Sequence, residues 1–86
     1  MNRNEEIIVK INEFLAEEFE VSPERITPEA SLKETLDLDS LDYIDLVVEI
    51  EINFSFKVKP GDFVHISTFR DFYDYIISRV SLKELV

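Results

Sequence analysis

The sequence predicts an all-α domain: a small helical bundle with a long ordered loop after its first helix. Three observations carry that expectation. Apolar residues recur at three- and four-residue spacing in three separate segments. The one alternating segment, Phe56-Lys57-Val58-Lys59, has no partner, and a lone strand makes no sheet. Hydrophobic residues form 45% of the 86-residue chain, which suffices for one core and leaves no room for a second lobe. A single domain over 1–86 is expected, with its core from about residue 4 to residue 80 and a tail from 81 to 86.

The first helix is expected from Asn4 to Phe19. Asn4 would cap it, and Glu5 and Glu6 suit the positive end of its dipole. Ile7, Ile11, Phe14, Leu15 and Phe19 make one apolar face. Ser22-Pro23 and Thr27-Pro28 then read as caps followed by proline at the first turn position, so short turns are expected there. Val21, Ile26, Leu32 and Leu36 would anchor the loop. An unpacked loop of this length would be unusual in a small domain.

The second long helix should start at Asp39 or Ser40 and reach Asn53. Asp39 is a good cap, and Asp42 three residues on resembles a capping box. Stepping roughly 100° per residue puts Ile44, Val47, Ile50 and Phe54 on a core side. Asp42, Asp45 and Glu49 fall opposite, bordered by Leu41, Val48 and Ile52. The stretch from Ser55 to Ser67 reads as extended loop with one helical turn near Asp62–His65. Thr68, with Asp71 three residues on, should cap the last helix. Its stripe is Phe69, Phe72, Tyr73, Ile76, Ile77 and Val80.

Charge narrows the function. Nineteen acids against nine Lys and Arg give a net charge of −10. That disfavours nucleic acid and anionic membrane surfaces, and favours basic protein partners. From Glu34 to Phe56 there are seven acids and no Lys or Arg. A solvated helix usually mixes signs, because Glu–Lys pairs stabilise it, so the one-sign face reads as an interaction site. No apolar run is long enough for a membrane span, and the N-terminus lacks a signal-peptide core. A cytoplasmic location is expected.

The absence of cysteine excludes disulfides, thiolate metal sites and a cysteine nucleophile. The acids at 37, 39 and 42 do not make a calcium loop. Leu41, Asp42 and Val48 stand where a ligand, a glycine and a bidentate glutamate would be needed. His65 has no partner His or Cys in sequence and reads as structural. Ser40 stands at a helix start, where backbone N–H groups can receive a phosphate. No His or Lys lies close in sequence to activate it, so it does not read as a hydrolase nucleophile. By its neighbours alone it is an ordinary helix-start serine or a site for modification by another enzyme.

Larger blocks carry a resemblance. "DSLD" (39–42) leads into "YIDLVVEIEINF" (43–54), an acidic, aliphatic helix ending in Phe. "VSPERITPEASLKETLDL" precedes it, and "ISTFRDFYDYI" follows. "DSL" alone is a weak signal, but these blocks in order, across about residues 5 to 77, are specific. The chain resembles an acyl carrier protein.

The resemblance implies a four-helix bundle with a long first loop and a short third helix, and a carrier rather than an enzyme. It implies that Ser40, flanked by Asp39 and Leu41, bears a 4′-phosphopantetheine arm taken from coenzyme A by a separate phosphopantetheinyl transferase. The arm's thiol would hold acyl intermediates of fatty-acid-like or polyketide-like synthesis, and so supply the sulfur this chain lacks. Acyl synthetase, ketosynthase and other enzymes with basic patches would dock on Asp37, Asp39, Asp42, Asp45 and Glu49, with Leu41 and Val48 as apolar contacts. Ile44, Val47, Phe54, Phe63 and Phe72 would line an acyl pocket. Transient docking implies a monomer. An aminoacyl or D-alanyl carrier shares this mechanism. A helical interaction module with an unmodified Ser40 is the rival from another class.

Four positions depart from the family's usual pattern. Asp37 stands where glycine is frequent. Phe63 and Phe72 stand where small residues are frequent, which would shrink or reshape the pocket. Glu49 also replaces a frequent small residue, which would shift partner choice.

Overall fold

Four α-helices and two 3-10 turns form the chain in this computed structural model, which describes residues 2–85, with side chains for these except Pro60 and residues 81–85. Helix α1 spans Arg3–Glu18, α2 Leu32–Leu36, α3 Ser40–Phe54 and α4 Phe69–Leu85. The 3-10 turns are Pro23–Arg25 and Pro60–His65. Among the described residues there is no strand, only an isolated bridge between Ser31 and Thr68. The all-α bundle expected from sequence is the fold observed.

Helix α1 begins earlier than expected. Asn2, not Asn4, is its cap: Asn2 Oδ1 accepts from Glu5 N–H at 2.9 Å, and Glu5 accepts back from Asn2 N–H at 3.3 Å. The reciprocal pair satisfies two donors that helix geometry leaves orphaned, which favours this start. The helix closes through Glu20, whose φ of 53° is left-handed, and Val21 N–H reaches back to the Ala16 carbonyl at 3.1 Å.

The loop is ordered, and α2 lies within it. Ser31 caps α2 by accepting from Glu34 N–H at 3.2 Å. Leu32 and Leu36 then recur at four-residue spacing and are buried. Ile26 and Leu38 are buried beside them, and Val21 is half-buried. The loop is stitched to the start of α4 by three backbone bonds. Leu32 N–H donates to the Ser67 carbonyl, Phe69 N–H to Ala30, and Arg70 N–H to Pro28, all at 3.0 to 3.2 Å.

The core is one cluster. Ile7, Ile11, Phe14 and Leu15 come from α1, Leu46 and Ile50 from α3, and Phe69, Phe72, Tyr73, Ile76 and Val80 from α4. Tyr73 also donates its hydroxyl to Asn12 Oδ1 at 2.6 Å, tying α4 to α1. Burial raises the Tyr73 pKa, and this bond only partly opposes the rise.

The inward face of α3 differs from the expected one. Leu46 and Ile50 are fully buried, with Tyr43, Val47 and Phe54 half-buried beside them. Ile44 is 56% exposed and belongs to the outer face. The stripe expected at Ile44, Val47, Ile50 and Phe54 was rotated too far toward Ile44. The buried centre lies nearer Leu46, a residue that stripe omitted. The C-terminus of α3 has no basic residue of its own. Lys10 of α1 serves it instead, donating to the Asn53 carbonyl at 3.0 Å while its ammonium sits 5.2 Å from the centre of the Phe54 ring.

Candidate functional site

Only 37–39 separate α2 from α3, and each of these three residues has a fixed task. Asp37 ends α2 in the left-handed region, at φ 53° and ψ 53°. Its N–H and that of Leu38 both reach the Lys33 carbonyl. This closure favours glycine, because a Cβ crowds the backbone there. Asp is among the side chains that tolerate it best. The frequent glycine of the resemblance therefore has a backbone reason here. Leu38 turns into the core and is 5% exposed. Asp39 turns out and caps α3.

The cap is doubly made. Asp39 Oδ1 accepts from Leu41 N–H and from Asp42 N–H, both at 2.9 Å. Asp42 Oδ2 accepts from Asp39 N–H at 3.1 Å. The capping box expected from sequence is present. Ser40 is then the first residue of α3, exposed, with no hydrogen bond to its hydroxyl among the described residues. One expectation changes. Two of the first N–H groups of α3, those of Leu41 and Asp42, are already occupied by Asp39, so these two are not free to seat a phosphate. A group on Ser40 would leave the helix start without displacing anything.

The expected docking residues lie around Ser40 and along the outer face of α3. Asp37, Asp39 and Asp45 are exposed, and Asp42 and Glu49 are half-buried. Asn53 donates to the Glu49 carboxylate at 3.5 Å and to the Glu49 carbonyl at 2.8 Å, so Glu49 is partly engaged within the helix. Glu51 points elsewhere and accepts from Val58 N–H at 3.2 Å, pinning the next loop. Leu41 is 71% exposed and Val48 46%. Ile44 and Ile52 join them, so four apolar side chains share one outward stripe. Ile44 was missed as part of this stripe. Its spacing of three from Leu41 and four from Val48 is the signal that would have found it.

The five residues expected to line an acyl pocket do not come together. Ile44 faces out. Phe54 joins a separate aromatic group, with Phe14 at 6.2 Å and Phe56 at 6.4 Å. It lies eleven residues from Tyr43, about 16 Å along α3. Phe63 and Phe72 do meet, stacked at 6.3 Å with their planes 24° apart. Tyr43 extends this pair, with its ring 5.4 Å from Phe63. Sequence reasoning passed over Tyr43, although it lies one turn after Ser40 on the stripe of Leu46, Val47 and Ile50.

The 3-10 turn that holds Phe63 is fastened to α4. The Tyr75 hydroxyl donates to Asp62 Oδ2 at 2.8 Å, and Arg79 approaches the same oxygen at 3.4 Å. The Tyr75 bond is the largest influence holding the Asp62 carboxyl below its ordinary pKa. Burial, then this carboxylate, pushes Tyr75 up. Asp62, His65, Tyr75 and Arg79 line a cleft of about 480 Å³ to which α3 contributes no residue. His65 is exposed, and among the described residues no group of three or more His, Cys, Asp or Glu could hold a metal ion.

The bundle thus presents a bare serine hydroxyl on a doubly capped, acid-flanked helix start. Comparison with known proteins gives the family. Residues 9–76 match the family model described as "Phosphopantetheine attachment site". The chain is 37% identical over 73 residues to an acyl carrier protein of Rubrobacter xylanophilus, covering 85% of this chain and 90% of that one. It is 40% identical over 76 residues to one of Thermotoga maritima, covering 88% and 94%. It is 33% identical over 81 residues to one of Thermosynechococcus vestitus, covering 94% and 99%. This chain belongs to the acyl carrier protein family, whose members are carriers, not catalysts, and hold 4′-phosphopantetheine covalently.

Proposed function

We propose that Ser40 is the attachment point of the arm and that the outer face of α3 is where partner enzymes dock. The observation that carries this reading is the exposed, unbonded hydroxyl of Ser40 on a helix start fixed by Asp39 and Asp42. In the attachment step the Ser40 oxygen bonds to the phosphorus of the pantetheine phosphate of coenzyme A. Adenosine 3′,5′-bisphosphate leaves, and the hydroxyl proton passes to the transferase. When bound, the group supplies a terminal thiol that carries acyl groups as thioesters.

The chain's own residues hold the post and present the face. Leu38, buried, and Asp39, capping, fix the position of Ser40, so the reach belongs to the arm. Asp37, Asp39, Asp42, Asp45 and Glu49 attract basic patches, and complementary charge raises the encounter rate. Leu41, Ile44 and Val48 give the contact its apolar centre. The cargo is an acyl intermediate of fatty-acid-like or polyketide-like synthesis, and the protein works as a cytoplasmic monomer.

The test is intact mass after incubation with coenzyme A, magnesium and a broad-specificity phosphopantetheinyl transferase, with Ser40→Ala in parallel. A gain of one phosphopantetheine that Ser40→Ala lacks supports the reading. No gain, with the transferase active on another carrier, refutes attachment at Ser40 by such an enzyme.

A further inference from the structure

We infer that the row of contacting rings Tyr43–Phe63–Phe72, tilted at Tyr43–Phe63 and stacked at Phe63–Phe72, closes the interior of this bundle to long saturated acyl chains, so that the carrier keeps its cargo outside and suits short acyl groups. The inference deepens the carrier reading above, because it concerns the cargo on the same arm.

The row begins one helical turn after Ser40. Tyr43 is half-buried on the inward side of α3, Phe63 is 9% exposed and Phe72 fully buried. Centroid separations of 5.4 and 6.3 Å lie within direct ring contact. No methylene chain passes between rings at those distances. The three rings come from three elements: α3, the turn Pro60–His65, and α4. A chain entering between α3 and α4 beside this row has to displace at least one of them.

Displacement is opposed on both sides. Phe72 sits within α4 among Phe69, Tyr73 and Ile76, all buried. Phe63 rides on a turn that Asp62 fastens to Tyr75 and Arg79, and Ile66 N–H closes that turn on the Phe63 carbonyl at 3.1 Å. Swinging Phe63 outward would expose its ring and break these bonds. Close-packed interiors do not open a channel without such losses.

The experiment loads the arm with acetyl, butyryl or decanoyl groups. Three quantities are read on each form: melting temperature, the rate of thioester cleavage by hydroxylamine, and the ring NMR signals of Tyr43, Phe63 and Phe72. For the natural sequence the expected result is no dependence on chain length in any of them. In Phe63→Ala the decanoyl form should melt higher than the acetyl form and lose its thioester more slowly. Phe63→Leu, which keeps an apolar side chain, serves if the alanine variant does not fold.

Decanoyl pantetheine added to Ser40→Ala, with and without Phe63→Leu, tests the gate without any attached arm. It should move the ring signals only when Phe63 is replaced. A decanoyl form of the natural sequence that is protected and shifts the rings overturns the inference and leaves attachment at Ser40 standing. So does a pair of Phe63 variants that stay as indifferent to chain length as the parent. Failure of the arm to attach refutes the Ser40 reading, while the free-ligand titration still decides the gate.

Discussion

Replacing Asp39 by alanine tests whether the cap sets the post for the arm. One carboxylate oxygen takes two backbone N–H groups, of Leu41 and Asp42, at 2.9 Å each. Losing an N-cap of this kind costs about 1–2 kcal/mol, and the lost charge at the helix start adds a few tenths to about 1. Removing one acid from a crowded acidic face returns a few tenths. The net expectation for Asp39→Ala is a loss of about 1–2 kcal/mol, or roughly 5–12 °C in melting temperature for a domain of this size. Asp39→Asn keeps the accepting oxygen and should lose less than half as much. Urea and thermal unfolding by circular dichroism read both variants. Both variants should raise the transferase's KM, because each removes a charge from the docking face, and the Ala variant should raise it more because the cap is lost as well. Equal losses in the two variants would mean that charge, not the cap bonds, holds this end of α3. A loss in Asp39→Ala below about 0.3 kcal/mol would refute the reasoning outright.

Other substitutions probe the rest of the framework. Asp37→Gly relieves a left-handed residue and should stabilise the chain by about 0.5–1 kcal/mol in urea unfolding. Phe72→Ala empties a fully buried ring position and should cost about 3–5 kcal/mol, a large share of the roughly 4–13 kcal/mol typical of a chain this long. Tyr73→Phe leaves Asn12 without its donor and should cost about 1 kcal/mol. Asp62 and Asp71 are held below their ordinary pKa of 3.8, Asp62 chiefly by the Tyr75 hydroxyl and Asp71 by the backbone N–H of Ser67. Depressed carboxyls stabilise above the unfolded value and lose that contribution as pH falls through the folded one, so the chain should weaken below about pH 4. Tyr73 and Tyr75 are raised above 10.0, so their contribution is present below pH 10 and fades as pH rises beyond it. With a net charge of −10, added salt at neutral pH should raise the melting temperature, and a flat salt titration would contradict this account.

The sequence made the long helices legible because each carries a stripe and a cap. The start of α3 was read from Asp39 and Asp42 alone, and the structure places the cap there. Helix α2 was not read. Five residues give too few turns for a periodic signal, and Leu32 and Leu36 alone read equally well as loop anchors. Ile44 lies at the edge of the stripe drawn through Val47, Ile50 and Phe54, and angular spacing alone does not decide which edge is buried. The structure takes Tyr43 and Leu46 inward and leaves Ile44 in water. The residues expected to share a pocket are dispersed for a different reason. Phe54, Phe63 and Phe72 are all apolar and inward, but only tertiary packing decides that Phe54 joins Phe14 and Phe56 while Phe63 stacks on Phe72 and meets Tyr43 at a tilt. The Lys10 bond to Asn53 spans 43 positions, and no local pattern announces it.

The bridge between Ser31 and Thr68 has a consequence for the order in which a chain can be finished during synthesis. Three backbone bonds of the first loop reach residues 67–70, so that part of its anchoring is missing until α4 has been made. A chain growing from its N-terminus therefore makes Ser40 long before the framework that steadies Ser40 exists. An enzyme that recognises that framework has to wait for the last helix. Truncation after Ile66 should leave a chain whose loop amides exchange freely and which the transferase modifies poorly, even though every residue around Ser40 is present.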